Sequence, residues 1–109
     1  MQRLQVQQLA AFAAATPGTL LLDVREPWEV ALARIELPGV AARHVPMHEL
    51  PQRLHELDPE QPVVCICHHG ARSAQVVAFL ERQGHGQAYN LDGGIDAWSA
   101  LVDPAVPRY

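Results

Sequence analysis

The sequence predicts an α/β fold in which helices cover both faces of an open, mostly parallel sheet. Short apolar runs of strand length alternate with segments whose apolar residues recur at helical spacing, and proline and glycine separate the two kinds of segment. The 109 residues suffice for one compact core and are too few for two. We therefore predict a single domain over residues 1–109, with its core at about residues 4–101 and an irregular, loosely packed tail over residues 102–109.

The first third of the chain predicts a helix, a buried strand and a second, shorter helix. Apolar residues at helical spacing favour an amphipathic helix over residues 5–15. The run over residues 19–24 is apolar up to Asp23, a pattern typical of a buried parallel strand. Pro27 suits the first turn of a short helix over residues 28–33. The residues that set the spacing of the first helix are Val6, Leu9, Phe12 and Ala13.

The middle of the chain predicts a connection, a short helix and the central strand. Residues 34–49 contain prolines and a glycine and indicate an irregular connection with a short strand near His44 and Val45. Residues 62–67 form the most apolar run in the chain and predict the central strand. The helix between them is predicted from one apolar stripe, formed by Leu50, Leu54 and Leu57.

The last third predicts a loop, a helix, a strand and a final helix. A tight polar loop over residues 68–72 precedes a helix for which Ser73 is a natural N-cap and Gly84 a C-cap. Residues 87–91 predict the last strand, and residues 95–101 predict the final helix after a glycine turn. The buried face of the first of these helices is predicted to contain Val76, Val77 and Leu80.

Composition and charge exclude several classes of function. Eight Lys and Arg against twelve Asp and Glu give a net charge of −4, which argues against nucleic acid as the main partner. No basic run suits an anionic membrane, and no apolar stretch approaches the ~18–20 residues that span a bilayer. The first residues lack the charged and apolar regions of a signal peptide. We expect a cytoplasmic protein that binds neither nucleic acid nor membrane.

The two cysteines, Cys65 and Cys67, have different predicted roles. One residue separates them, so a disulfide between them would be strained, and a reduced thiol pair is expected. Cys65 lies inside the central strand and is predicted to be a buried core residue. Cys67 lies at the carboxyl end of that strand, where open α/β sheets bind their ligands.

The loop after Cys67 suits a nucleophilic thiolate. Successive loop amides and the N-terminus of the following helix create a positive potential that favours a thiolate over a thiol. Gly70 lets the backbone turn with its amides pointing inward. Arg72 adds a permanent cation whose donors suit an oxyanion. These residues predict a nucleophilic Cys67 at the centre of a catalytic site.

Three segments in order resemble the signatures of the rhodanese-like sulfurtransferases. Residues 67–73 read Cys-His-His-Gly-Ala-Arg-Ser and resemble the active-site pattern Cys-x-x-Gly-x-Arg-Ser/Thr. Residues 22–29 read Leu-Asp-Val-Arg-Glu-Pro-Trp-Glu and resemble the first signature of the family. Residues 89–98 read Tyr-Asn-Leu-Asp-Gly-Gly-Ile-Asp-Ala-Trp and resemble its closing signature. Together the matches cover about residues 19–100 and suggest a single-domain member of this family.

The resemblance implies a reaction in two half-steps. The Cys67 thiolate attacks the outer sulfur of a donor such as thiosulfate, releases sulfite and keeps the sulfur as a persulfide. The persulfide then gives its sulfur to cyanide or to a cellular thiol, protein thiols included. Arg72 would orient the loop or bind the departing sulfite, and no metal or organic cofactor is implied. The residues implied in substrate binding are His68, His69, Gly70, Ala71 and Ser73.

Other residues are interpreted as supporting ones. Asp23 and Arg25 lie at the carboxyl end of a predicted strand. An ion pair or hydrogen bonds that fix the turn around Glu26 and Glu29 are expected from them more than a catalytic role. Trp28 and Trp98 are interpreted as core or packing residues.

Two segments depart from the family pattern. His68 occupies the position where many members have Arg, which exchanges a fixed charge for a titratable one. Residues 34–40 replace the family's Gly-His-Ile-x-Gly-Ala segment. Both changes put the use of thiosulfate as the sulfur donor in question more than they question sulfur transfer itself.

Three alternative functions remain open at the level of sequence. Cysteine-dependent phosphatases and arsenate reductases also combine Cys, loop amides and Arg, although phosphatase loops hold one more residue between Cys and Arg. A metal site is a second alternative, with ligands from Cys65, Cys67, His68 and His69. The third is a non-catalytic interaction domain, or one that only carries a persulfide.

Overall fold

The computed structural model describes residues 1–109 and contains a five-stranded sheet flanked by five α-helices. The strands are β1 (Gln2–Gln5), β2 (Leu20–Asp23), β3 (Ala41–His44), β4 (Val63–Ile66) and β5 (Ala88–Asp92). The helices are α1 (Leu9–Ala15), α2 (Pro27–Leu32), α3 (Leu50–Arg53), α4 (Ala71–Arg82) and α5 (Gly94–Leu101). Short 3₁₀ turns cover Val6–Gln8, Met47–Glu49 and Leu54–Glu56.

The sheet is entirely parallel, with the strand order β1-β5-β4-β2-β3. From β2 the chain continues through α2 to the neighbouring β3, whereas from β4 it continues through α4 to β5 on the opposite side. The strand order therefore reverses between β2 and β4. The carboxyl ends of these two strands flank the crevice in which sheets of this type bind ligands.

Each face of the sheet has its own apolar core, because successive side chains of a strand point to opposite faces. Leu22 and Cys65 belong to one core, together with Val77 and Leu80 of α4. Leu21 and Val64 belong to the other core, together with Leu9 of α1 and with Ile95 and Trp98 of α5. The predicted α/β fold with helices on both faces is confirmed, and Cys65 is fully buried as expected.

The predicted helix over residues 5–15 is only partly correct, because its first part belongs to a strand. Gln2–Gln5 pair with β5 in parallel, and the α-helix begins only at Leu9. Leu4 and Val6 are buried at a spacing of two, which suits an edge strand and the turn after it, whereas Leu9 and Ala13 have helical spacing. A glutamine-rich edge strand gains its stability from hydrogen bonds to β5, which local sequence does not reveal.

Most of the other predicted elements are present with small changes at their ends. The helix expected from the stripe of Leu50, Leu54 and Leu57 is a single α-helical turn followed by a 3₁₀ turn. Gln83 caps α4, and Gly84 follows it with φ of +90°. No helix is long and apolar enough to cross a membrane.

Residues 102–109 contain no helix or strand and are mostly exposed, yet several of them contact the domain. The amide of Asp103 donates to the Trp98 carbonyl, and Val106 packs against the core that contains Trp98. Trp98 is buried as expected, but Trp28 is 62% exposed and is not a core residue. The tail is thus folded back over the domain, and its last residue, Tyr109, contacts Trp28 edge-on.

Candidate active site

Cys67 follows β4 directly, and the loop after it wraps around its sulfur. The Gly70 amide donates to Sγ at 3.0 Å, and the Ser73 amide points to the same atom at 3.4 Å. Gly70 has a φ of +104°, a conformation that glycine adopts at little cost, and this turn brings its amide back to the sulfur. The side chain of Cys67 is 1% exposed. The predicted arrangement of inward-facing amides is therefore present around a covered sulfur.

The predicted N-cap role of Ser73 is wrong, because α4 begins at Ala71 with Gly70 as its N-cap. Ser73 is instead fully buried on the inner side of the helix. Its hydroxyl donates to Asn90 Oδ1 at 2.6 Å and lies 3.3 Å from Cys67 Sγ. Since that hydroxyl proton is given to Asn90, the oxygen is free to accept the proton of the Cys67 thiol.

Asn90 of β5 fixes the loop through hydrogen bonds of its side-chain amide. Its Nδ2 donates to the Gly70 carbonyl at 3.2 Å and to Asp92 Oδ1 at 2.9 Å. Asn90 is 2% exposed, so its amide group depends on these partners. Asn90 thus holds both Gly70 and Ser73, the two residues whose amides face the sulfur.

The N-terminus of α5 binds the backbone of the same loop. The Ile95 amide donates to the Cys67 carbonyl, and the Asp96 amide to the His68 carbonyl, both at 3.0 Å. This contact requires a glycine at position 94, because a Cβ there would lie 2.5 Å from each of the two carbonyl oxygens. Gly94 therefore serves the Cys67 loop directly, whereas a Cβ at Gly93 would meet Ala97 of α5.

Arg72 is held by Glu29, across the crevice on α2. Its Nη1 and Nη2 donate to Oε1 and Oε2 of Glu29 at 2.6 and 2.9 Å. The Arg72 guanidinium lowers the pKa of Glu29 to about 2, against the opposing effect of burial. The bidentate pair joins the first turns of α2 and α4, so that in this arrangement Arg72 orients the loop.

Asp23 and Arg25 form a buried network behind this pair. Arg25 is fully buried, and its guanidinium donates to both oxygens of Asp23, the shortest distance being 2.7 Å. It also donates to the Ala33 carbonyl at 2.7 Å and to the hydroxyl of Tyr109 at 2.8 Å. Every side of this buried cation thus has a partner, as its stability requires. The geometry of Asp23 and Arg25 is therefore that of a network that supports the site.

His68 lies in a stack of three rings at the edge of the loop. Its ring centroid is 4.0 Å from that of Tyr109, with the planes 7° apart, and 3.9 Å from that of His69. The Nε2 atom of His68 is buried without a hydrogen-bond partner. Burial, and secondarily the charge of His69, lower the pKa of His68 below its ordinary value. The imidazole is therefore mainly neutral at neutral pH.

The residues considered as metal ligands do not come together as one group. The titratable cluster beside the loop consists of His68, His69 and Asp96, and includes neither cysteine. One ligand atom from each of these three residues lies within 4.8 Å of the other two, so a cation held here would be bound beside the loop and not by the cysteines.

Comparison with known proteins assigns the family. The model of the Rhodanese-like domain family matches residues 5–101. The chain belongs to the rhodanese family. A sulfurtransferase of Allochromatium vinosum is 40% identical to this chain over 100 residues, which cover 92% of this chain and 90% of the relative. The thiosulfate sulfurtransferase GlpE of Stutzerimonas stutzeri is 33% identical over 88 residues, covering 81% and 77% of the two chains.

Solved structures of similar proteins have the same fold. A rhodanese-like domain protein from Staphylococcus aureus superposes with a TM-score of 0.80 at 28% identity, covering 100% of this chain and 99% of that one. A polysulfide-sulfur transferase homodimer from Wolinella succinogenes matches with a TM-score of 0.77 at 28% identity, covering 100% and 78%. The resemblance inferred from the three signatures is confirmed at the level of the family.

Three residues of this rhodanese site were not singled out from the sequence. Asn90 carries the clearest signal, because it is an amide between Tyr89 and Leu91 near the end of the predicted strand and beside the glycine turn. Glu29 was interpreted as part of a turn, and its position as the partner of Arg72 depends on two helices that are far apart in sequence. Tyr109 carries no local signal, since nothing near it in sequence predicts that the tail returns to the site.

Proposed function

We propose that this rhodanese is a sulfurtransferase that carries sulfane sulfur as a persulfide on Cys67. The observation that carries the proposal is the Cys67 sulfur at the end of β4, with the amides of Gly70 and Ser73 directed at it. Backbone donors held in a buried loop stabilise a sulfur anion without having to reorganise during the reaction.

In the first half-step, the Cys67 thiolate attacks the outer sulfur of thiosulfate. A new S–S bond forms to Cys67, the S–S bond of thiosulfate breaks, and its electron pair leaves with sulfite. In the second half-step, an acceptor thiolate attacks the outer sulfur of the persulfide and becomes a persulfide itself, which regenerates the Cys67 thiolate. No net redox change and no further reactant are needed in either step.

The outer sulfur of the persulfide needs donors other than those already bound to Sγ. The amides of Ala71 and Arg72, in the first turn of α4, have no hydrogen-bond partner within the protein. These amides support the assignment of the loop from His68 to Ser73 as the binding site of the transferred sulfur. His69 is 65% exposed in its side chain and suits an outer contact with the donor.

The burial of Cys67 sets a condition on the reaction. With its side chain 1% exposed, Sγ cannot meet a donor unless the loop or the side chain moves. The sulfur donor of the first half-step must therefore be small. The acceptor of the second half-step must present its thiol on a narrow group. Small sulfur donors such as thiosulfate or polysulfide meet this condition, and low-molecular-weight thiols meet it as acceptors.

The thiol chemistry supports a reducing compartment for the proposed reaction. Both cysteines are free, and a persulfide carrier needs a reduced thiol at the start of each cycle. We place the reaction in the cytoplasm, with a small sulfur donor and a thiol acceptor as its partners.

The test is a turnover assay with thiosulfate and cyanide on three matched proteins. Cys67→Ser should abolish thiocyanate formation, because a serine hydroxyl stays protonated at neutral pH and cannot attack thiosulfate to form a persulfide, while the circular dichroism spectrum stays unchanged. Cys65→Ala should retain most of the activity, since Cys65 lies two residues away in the same core and outside the loop. Activity that survives in Cys67→Ser and is lost in Cys65→Ala would overturn the proposal.

An aryl phosphate tested beside thiosulfate separates sulfur transfer from phosphatase chemistry. We expect no phosphate release, because both terminal nitrogens of Arg72 are engaged by Glu29 and the loop lacks one residue relative to phosphatase loops. Phosphate release that depends on Cys67, without sulfur transfer, would favour the phosphatase.

A further inference from the structure

The tail, residues 102–109, is attached to the domain at several points along its length. Arg108 donates to both carboxylate oxygens of Asp96, at 3.1 and 3.0 Å, and so ties the tail to α5. Val106 packs against the core between α5 and the sheet. These contacts direct the last residue, Tyr109, back to the end of the sheet at which Cys67 lies.

The ring of Tyr109 covers the residue next to the nucleophile. It stacks on His68 with the planes 7° apart, and His68 in turn stacks on His69. Tyr109 also meets Trp28 edge-on, at a centroid distance of 6.0 Å. The ring therefore fixes the imidazole of His68 and contributes to the burial of its Nε2 atom.

The hydroxyl of Tyr109 reaches the other end of the loop through Glu29. It donates to Oε2 of Glu29 at 2.7 Å and accepts from Nη1 of Arg25 at 2.8 Å. Oε2 of Glu29 is also the oxygen that binds Nη2 of Arg72 at 2.9 Å. One hydroxyl thus connects the buried cation of Arg25 with the carboxylate that orients Arg72.

We propose that Tyr109 is a positioning residue for sulfur transfer, which holds both ends of the Cys67 loop: His68 through its ring, and Arg72 through its hydroxyl and Glu29. The proposal rests on the proposed function, because the loop is of consequence only if Cys67 accepts sulfur. His68 directly follows Cys67, and Arg72 lies between Gly70 and Ser73, whose amides face the sulfur. A shift in either would move those amides relative to Sγ.

Two substitutions distinguish the contact of the Tyr109 ring with His68 from the contact of its hydroxyl with Glu29. Tyr109→Leu removes the ring and the hydroxyl, and should slow persulfide formation from thiosulfate at least about tenfold. The reason is that loss of these contacts lets the loop amides shift relative to the reacting sulfur of Cys67. Tyr109→Phe keeps the ring on His68 and removes only the hydroxyl, so the loss should be smaller. The rate is measured by mass spectrometry of quenched samples, per folded molecule.

Tyr89 provides the matched controls, because it is the only other tyrosine. It packs edge-on against Phe12, at 4.7 Å, packs against the core on the α1 and α5 face of the sheet, and pairs with Val64 of β4, three residues before Cys67. Tyr89→Leu and Tyr89→Phe should leave the rate per folded molecule unchanged, even where they lower Tm. Equal losses in Tyr89→Leu and Tyr109→Leu would overturn the proposal.

The titration of His68 provides a readout that needs no sulfur chemistry. In a proton NMR titration, the His68 resonance is identified by its absence in His68→Gln. Because burial is the main reason for the lowered pKa of His68, Tyr109→Leu should move it up towards its ordinary value, and Tyr109→Phe should leave it in place.

The outcomes distinguish the inference from the proposed function. If the wild type takes up no sulfur, sulfur transfer fails and the positioning role fails with it. If the wild type takes up sulfur and Tyr109→Leu matches it in rate and in His68 titration, the positioning role alone fails. A slower rate together with a raised His68 pKa in Tyr109→Leu supports the inference.

Discussion

At the scale of single residues, Gly94 shows how tightly the end of the sheet is packed around the Cys67 loop. Its φ is +59°, and a Cβ at this position would meet the carbonyl oxygens of Cys67 and His68 at 2.5 Å. Both neighbours are backbone atoms that also accept hydrogen bonds from α5, so they cannot move without losing those bonds.

Gly94→Ala should therefore destabilise the protein by about 2 kcal/mol or more, the cost of overpacking a dense site. It should also slow sulfur transfer, because the loop must shift to make room. Urea unfolding and the turnover assay measure the two effects.

Gly86→Ala is the matched control, since a Cβ at that glycine would have nothing within 4 Å and its φ lies outside the left-handed region. We expect it to change neither stability nor activity appreciably. If Gly94→Ala behaved like Gly86→Ala, the contact between α5 and the loop would not support the site.

His68 is the residue whose side chain affects the binding of an anionic sulfur donor most directly. A neutral imidazole gives a thiosulfate dianion no full charge to bind, whereas an arginine would. His68→Arg should lower KM for thiosulfate about fivefold at low ionic strength, and the effect should shrink as salt is added. Steady-state kinetics at two salt concentrations test this expectation.

His55→Arg controls for net charge, because His55 is an exposed residue on the 3₁₀ turn after α3. It should leave KM nearly unchanged. If both arginines lowered KM equally, the effect would come from overall charge and would say nothing about the position of His68.

At the scale of elements, the pair Glu29–Arg72 joins the first turns of α2 and α4. Glu29 is held in place by Arg72 and Tyr109, and also reaches back within α2 to bind the Glu26 amide at 3.1 Å. Because the pKa of Glu29 is lowered to about 2, its ionised form stabilises the folded state. That contribution is complete above the ordinary pKa of about 4.5 and is lost as pH falls towards 2.

The pH dependence of stability should differ accordingly between the wild type and Glu29→Gln. Above pH 5 the wild type should be more stable by about 2 kcal/mol, after allowance for the partly exposed Arg72, and the difference should vanish near pH 2. Urea unfolding across this range measures it. Glu60→Gln, at an exposed carboxylate with no cationic partner, should show no such difference, and a constant offset for Glu29→Gln would contradict the account.

The predictability of an element from the sequence depends on where its hydrogen bonds and burial come from. The strand β4 was predictable, because all four of its residues are buried and apolar. The strand β1 was not, since three of its four residues are exposed and only the pairing with β5 makes it a strand. The start of α4 was also misplaced, because Ser73 has the composition of an N-cap but uses its hydroxyl on Asn90.

At the scale of the whole molecule, the strand order brings together residues that are far apart in sequence. Asp23 ends β2 and Arg25 follows it, Cys67 follows β4, and Asn90 lies on β5, so three adjacent strands supply one site. Cys67, its loop and the supporting pair Asp23–Arg25 were predictable, because strand ends and the family signatures mark them. The closure of the site by Tyr109 was not, because it depends on how the tail folds across the finished domain.

The most direct test of the account is the mass of the intact protein after incubation with thiosulfate and removal of excess donor. We expect the mass of one added sulfur atom, located by peptide mapping to Cys67 and discharged by cyanide. An unchanged mass with every tested sulfane donor, or a sulfur atom located on Cys65, would contradict it.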